Sequence, residues 1–382
     1  MSDSALSSNL YLLIQACLGG NVDESLCSMS RHDPDWKLMY DLSRDHQVSA
    51  LLYDHLKILP HFEKIQASCI DKLKQHSIDQ AVFSMLFLRK SIELNNDLAQ
   101  NNVNAFLMKG ALWAWLLYDN PGLREFGDID FFLQKEQISQ GLDVLARHNF
   151  EPDAYRKYLL SKSKVAKLYF DTDYQLPLTP TGQEMVQSLE VQWNTTYPRY
   201  HFSFAWDELT QNMMSFTISG TTLRVPSAEN QLLLMIIHHG GVEQWDKLKY
   251  MADLVRLLRK FGEQIDWIYI VKVTKEKGFY NILLESLGLV LTFTGENYLI
   301  FCDNNLEKHY PSKRFRKEVI NHWENTRTKP VTKSWRIFYF NMINRDRLSD
   351  KLSILISHLA YMLEWRLMIP KARWYQKQTK PG

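Results

Sequence analysis

Asp128 and Asp130 stand two residues apart in REFGDIDFFL, behind Gly127 and inside an apolar run. If that run is a strand, side chains i and i+2 leave the same face, and two carboxylates are aimed at one point. Like charges held together repel, so the pair calls for a counter-ion. A hard divalent cation suits it, Mg²⁺ by default or Mn²⁺ where phosphate is handled. A DxD by itself is common among solvated loop carboxylates, and its surroundings decide what it means.

Those surroundings are suited to phosphate. Lys109-Gly110 closes an apolar strand, Ala105 to Met108, and opens an apolar helix. A glycine at a strand-to-helix turn lets backbone N–H groups come close to phosphate, and the helix N-terminus adds partial positive charge. Arg124 lies four residues before Asp128. The order is strand, Lys-Gly turn, helix, arginine, then a strand bearing two aspartates.

This block resembles the nucleotidyltransferase superfamily related to DNA polymerase β. It is most similar to an uncharacterised bacterial nucleotidyltransferase family whose core reads roughly KGxxL…LY…P…R…DIDLL. Here those positions are Lys109-Gly110, Leu117-Tyr118, Pro121, Arg124 and Asp128-Ile129-Asp130-Phe131-Phe132. The superfamily's usual Gly-Ser pair is Lys-Gly in this chain, and the gap to Asp128 is longer than in the polymerases. Abortive-infection nucleotidyltransferase toxins have a similar arrangement. A looser likeness runs from about residue 35 to 260, through Pro34–Leu56 and through VPSAENQLLLMIIHHGG with LKYMADLVRLL.

The resemblance implies a third carboxylate on a neighbouring strand. Glu190 in SLEVQWN is the candidate, with Gln192 where relatives often carry histidine. An exposed strand glutamate is the competing reading, and Asp171 and Asp173 compete for the role. The resemblance also implies a basic residue facing the nucleotide from the helix after the sheet. Lys249 is preferred there over Lys247, against the alternative of a solvated face.

The elements that must position these groups follow from periodicity. Residues 5–100 have helical spacing, with a long amphipathic run over 63–100 that ends at Asn101-Asn102. From 104 to 225 strands alternate with helices. Strands are expected at about 104–109, 127–133, 165–171, 186–194, 214–219 and 221–225, with a helix at 135–148. Ser227 is an expected N-cap, and residues 227–382 return to helix. The expectation is an α+β fold: a small mixed sheet (101–226) between an N-terminal (1–100) and a C-terminal (227–382) helical region.

His238-His239 is not expected to chelate one ion, because adjacent helical residues point about 100° apart. The C-terminal stretch is apolar, aromatic and basic, with Arg366, Lys371, Arg373, Lys377 and Lys380. It reads as a last core helix with a basic tail, or as a contact with an anionic membrane surface.

Composition bounds the rest. A hydrophobic content of 45% and a charged content of 23% are globular values. A net charge of +2 supplies no global field for a long nucleic acid. The first twenty residues lack a basic n-region, so no signal peptide is expected, and no apolar run reaches membrane-spanning length. Cys17, Cys27, Cys69 and Cys302 are scattered and read as reduced thiols of a cytoplasmic protein.

The expectation is therefore a metal-dependent nucleotidyltransferase. Asp128, Asp130 and Glu190 would hold Mg²⁺ or Mn²⁺. Lys109, Gly110, Arg124 and Lys249 would bind an NTP. The acceptor would be a small molecule or a protein. The rival readings are a non-catalytic binding or scaffold protein that kept the fold, and a toxin-like enzyme acting on tRNA.

Overall fold

Two apolar strands anchor the site: β1 (Ala105–Met108) and β2 (Ile129–Leu133), pairing antiparallel with Met108 opposite Asp130. Every residue of β2 is buried, as expected of a strand covered on both faces. The computed structural model describes residues 7–19, 34–59, 65–303, 309–325 and 330–378. Cys27, Lys380 and the Lys377 side chain lie outside the described residues.

Four described helices precede the sheet: α1 (Ser8–Leu18), α2 (Trp36–Asp45), α3 (Ser49–Leu56) and the long α4 (Ala67–Gln100). Next to β1 comes α5 (Lys109–Leu117). Beyond β2 lie α6 (Ile138–Arg147), β3 (Phe150–Pro152), α7 (Ala154–Leu160), α8 (Ser163–Thr172), β4 (Gln175–Pro180) and β5 (Leu189–Gln192). The sheet order is β1-β2-β5-β4-β3, and only β2 and β5 run parallel. A parallel pair needs a crossover connection, and the segment from α6 to β4 supplies it. The short helix α9 (Trp206–Thr210) leads into the hairpin of β6 (Met213–Ile218) and β7 (Thr221–Pro226), which turns through Ser219 and Gly220, both at positive φ, the backbone of a two-residue hairpin loop.

This is the α+β architecture expected, a small mixed sheet between helical regions, but β3 and β4 lie outside the expected strands and one expected strand is a helix. Residues 165–171 form helix α8, not a strand. Val165, Leu168 and Tyr169 recur at i, i+3 and i+4, which is helical spacing despite the β-branched and aromatic content. Trp193 Nε1 ties the end of that helix down by donating to the carbonyls of Phe170 and Asp173. The strand next in sequence is β4, whose prolines argue against a strand. Pro177 is tolerated because β3 reaches only as far as Leu178, leaving no partner on that side.

After the sheet, Ser227 caps α10 (Ala228–Met235) as expected, its hydroxyl accepting from Asn230 N. The chain continues through a π-helical turn (Ile236–Val242) and α11 (Leu248–Phe261). Then follow α12 (Trp267–Glu276), α13 (Tyr280–Thr294), α14 (Lys313–Glu324), α15 (Pro330–Asn344), α16 (Leu348–Leu363) and α17 (Trp365–Gln378). His46, just after α2, accepts from Leu248 N at 3.3 Å and contacts the Trp323 carbonyl at 2.8 Å. The N-terminal helices are thereby locked onto the C-terminal ones.

Candidate active site

Register places the carboxylates. Asp130 and Glu190 are direct neighbours across the parallel β2–β5 pair, so their side chains leave the same face. Asp128 immediately precedes β2 and projects to the same side. One oxygen from each of Asp128, Asp130 and Glu190 lies within 4.8 Å of the others. Asp171 stands apart, exposed and paired with Lys135 at 2.8 Å. Asp173 accepts from Tyr174 N and is not part of the cluster.

The Lys-Gly turn bends β1 into this cluster. Lys109 takes φ 40°, in the left-handed region that a side chain disfavours. Its Nζ lies 3.8 Å from Asp130 Oδ1 and 3.4 Å from Gln192 Oε1. Gly110 is required by closeness: a Cβ there would sit 2.8 Å from the Asp128 carbonyl oxygen. Gln192 crosses the floor, donating from Nε2 to Asp130 Oδ1 at 2.8 Å and Glu190 Oε2 at 3.3 Å. Gln175 donates to Glu190 Oε1 at 3.1 Å from the neighbouring strand.

These groups open into a cleft of about 270 Å³, walled on the far side by Arg124, His238, His239, Glu243, Lys249 and Tyr250. Burial raises the pKa of Asp130 well above the usual carboxylate range; Lys109 opposes the shift and Asp128 adds to it. Burial also raises Glu190, against Lys109 and with Asp128. The donor set is all oxygen and its negative charge is under-compensated, which fits a hard divalent cation such as Mg²⁺ or Mn²⁺.

A family pattern, that of the uncharacterised nucleotidyltransferases, matches residues 32–295, more than half of the chain. The chain belongs to that family. Among solved structures it is similar to an antigenic nucleotidyltransferase-like protein from Paracoccidioides brasiliensis. The two share 17% identity over 46% of this chain and 76% of that one, at a TM-score of 0.29, too low an overlap to bear on the site. No curated protein matches it in sequence.

In this member of the family the cations are held differently from one another. Arg124 is not free: Nε and Nη2 reach the two carboxylate oxygens of Asp253, both at 2.9 Å, and Nη1 donates to the Gly110 carbonyl at 3.0 Å. Lys249 Nζ donates to Gln47 Oε1 at 2.6 Å, from the segment between α2 and α3. Burial, with Arg124 nearby, pulls the Lys249 pKa down to about 8. Lys247 also reaches Gln47, at 3.3 Å.

Sequence reasoning missed Asp253, the carboxylate that fixes Arg124. Its signal was an acid among the apolar residues of LKYMADLVRLL, where an unpaired charge would be costly. It also passed over the histidines as cleft residues. The π-helical turn brings His238 Nδ1 and His239 Nδ1 to 3.2 Å, and His239 stacks on Tyr250 with centroids 4.3 Å apart. Burial lowers both rings, His239 to about 4, so they line the cleft as neutral imidazoles near pH 7.

Proposed function

We propose that the cleft transfers a nucleoside monophosphate from an NTP to a hydroxyl on a small-molecule or protein acceptor. The observation that carries this is the convergence of Asp128, Asp130 and Glu190 beside Lys109, in a cleft of a nucleotidyltransferase-family chain. Mg²⁺ or Mn²⁺ bound by the three carboxylates would neutralise charge on the phosphates and lower the pKa of the acceptor hydroxyl.

The chain's own groups do the rest. Lys109 balances Asp130 and keeps the carboxylate side of the cleft from repelling a triphosphate. Lys249 is the half-buried cation across the cleft and pairs with phosphate oxygens once a nucleotide displaces Gln47. Arg124 acts indirectly, since Asp253 already balances it. Its bond to the Gly110 carbonyl fixes the backbone that must lie along the triphosphate. Glu190 takes up the acceptor proton. The acceptor oxygen then bonds to the α-phosphorus as the bond to the bridging oxygen breaks and pyrophosphate leaves. Positioning and electrostatics supply the rate.

A net charge of +2 favours small-molecule or protein acceptors over long nucleic acid. Unpaired Cys17, Cys69 and Cys302 support a reducing, cytoplasmic setting. The test is incubation with each labelled NTP, Mg²⁺ or Mn²⁺ and cell lysate, then identification of the labelled species. Wild type should transfer label, and Asp128→Asn and Asp130→Asn should not. Equal labelling by either variant would remove the carboxylates from the reaction. Absence of labelling together with absence of NTP binding would favour the scaffold reading.

A further inference from the structure

Helix α16 packs on the protein by a narrow, mixed side, on which Ile354 is fully buried and Asp350 nearly so, and leaves its wider apolar side outward. Ser357 contacts His201 Nε2 at 2.8 Å, and the His358 ring lies 5.0 Å from that of Tyr200. The apolar stripe faces outward: Leu348, Leu352, Ile356, Leu359 and Met362 recur at i, i+4, i+8, i+11 and i+14, all exposed. Leu363, which ends the helix, is 81% exposed. Surface helices of soluble proteins hide such a stripe, and a contiguous exposed one marks an interaction site.

The patch extends past the helix. At Glu364 the chain bends by 69° into α17, where Trp365 is 66% exposed and Ile369 is exposed too. On α15, which packs against α16 through the Phe338 and His358 rings, Trp335 is 71% exposed. Residues 365–378 carry Arg366, Lys371, Arg373 and Lys377 and no acidic residue.

We propose that this face docks on an anionic phospholipid bilayer, with α16 lying in the plane of the interface. Sixteen residues span roughly 24 Å, short of a hydrocarbon core of about 30 Å. Among the described residues no single helix is long and apolar enough to cross a membrane; α16 and α17 reach that length and apolarity only when taken together, and the 69° bend between them breaks the pair as one straight span. An outward apolar stripe, tryptophans beside it and adjoining cations are the composition of a helix that rests at the headgroup level. Charge decides between lipid and a second copy of the chain. Arg366 is paired with Glu364 at the bend, at 2.6 Å, but a two-fold contact through this face would still set Lys371 and Arg373 against their equivalents with no acidic residue in that helix to pair them. An anionic headgroup layer complements them, while the acyl region takes the leucines and isoleucines. The inference is independent of the transfer chemistry.

Flotation of the full chain with vesicles tests it. Wild type should float with phosphatidylserine-containing vesicles and bind phosphatidylcholine vesicles several-fold less, with added salt weakening the first. Leu352→Glu, Ile356→Glu and Leu359→Glu combined should abolish flotation while leaving the unfolding temperature unchanged, since these side chains are exposed. Arg366→Gln with Arg373→Gln should weaken binding to anionic vesicles about fivefold per cation and spare the weaker phosphatidylcholine binding. Wild type that stays in solution with anionic vesicles would overturn the proposal, as would a triple variant that floats normally. A wild-type dimer in sedimentation that the triple variant dissolves would assign the face to a second copy instead.

Discussion

Gln192 Nε2 donates to Asp130 Oδ1 at 2.8 Å, from the strand that also bears Glu190. The amide spans the buried Asp130 and the half-buried Glu190 carboxylates and receives Lys109 on its oxygen. It therefore fixes the spacing of two expected metal ligands without being one. Groups that orient ligands in this way typically change metal affinity by about 10–100-fold when lost. Gln192→Leu, similar in size, should weaken Mn²⁺ binding in calorimetry by that order and lower turnover with it. Gln192→His keeps a donor at the position and should recover most of the affinity. Unchanged affinity in the leucine variant would show that the carboxylates hold their geometry alone.

The Arg124–Asp253 pair makes a different prediction, about stability. Both side chains are buried, and Tyr118 Oη also donates to Asp253 at 2.8 Å. Asp253→Asn leaves the Arg124 charge buried without its counter-charge. Breaking such a pair costs about 3–5 kcal/mol, readable as a lowered midpoint in urea unfolding. Arg124 holds the Asp253 pKa far below the ordinary range, although burial pushes it up. Its contribution is thus complete above the unfolded value of about 4 and is lost as pH falls below it. A variant within experimental error of wild type would mean that the pair is dispensable.

Lys249 carries a pH dependence. Its pKa of about 8, set by burial and by Arg124, places its charge loss just above neutrality. Affinity for a non-hydrolysable NTP should therefore fall as pH rises past about 8. A charged hydrogen bond contributes about 1.5–3 kcal/mol, so the fall should be on the order of tenfold to a hundredfold. Lys249→Arg keeps its charge at every accessible pH and should bind with a flat profile over the same range. Parallel profiles for the two proteins would remove Lys249 from nucleotide binding.

The parts of this site that were legible in sequence are those set by local spacing. Asp128 and Asp130 two apart, and Lys109-Gly110 at a strand end, read directly because strand period and turn chemistry act over a few residues. Glu190 was reached only through family resemblance. Its place beside Asp130 is decided by the β2–β5 register, which no short-range pattern encodes. Asp253 lies 129 residues from Arg124, and pairing at that distance is invisible without the fold. His238 and His239 stand on a π-helical turn that the ideal-helix angle did not foresee, and among the described residues they join no metal-ligating cluster. Strand content was overread at 165–171 because residue type was weighed above the i, i+3, i+4 spacing of Val165, Leu168 and Tyr169.

The carboxylate cluster itself should be a source of instability without metal. Burial raises Asp130 and Glu190 above their unfolded values, and Asp128 adds to both shifts. A raised acid holds its proton in the folded state where the unfolded chain has already lost it. Its stabilising effect is complete below the unfolded pKa, about 4, and declines as pH rises through the folded value. Asp130→Asn removes this decline and keeps an oxygen to accept from Gln192. In EDTA, the variant should thus gain melting temperature relative to wild type as pH rises from about 4 to 8. Comparing the two proteins cancels the opposite contribution of the buried His238 and His239 rings, which are common to both. Mn²⁺ should reverse the order: at a hundred times its dissociation constant it adds about 2.7 kcal/mol to wild type and much less to the variant. A difference between the proteins that is flat with pH, or equal metal-induced shifts, would mean that Asp130 is neither a strained carboxylate nor a ligand.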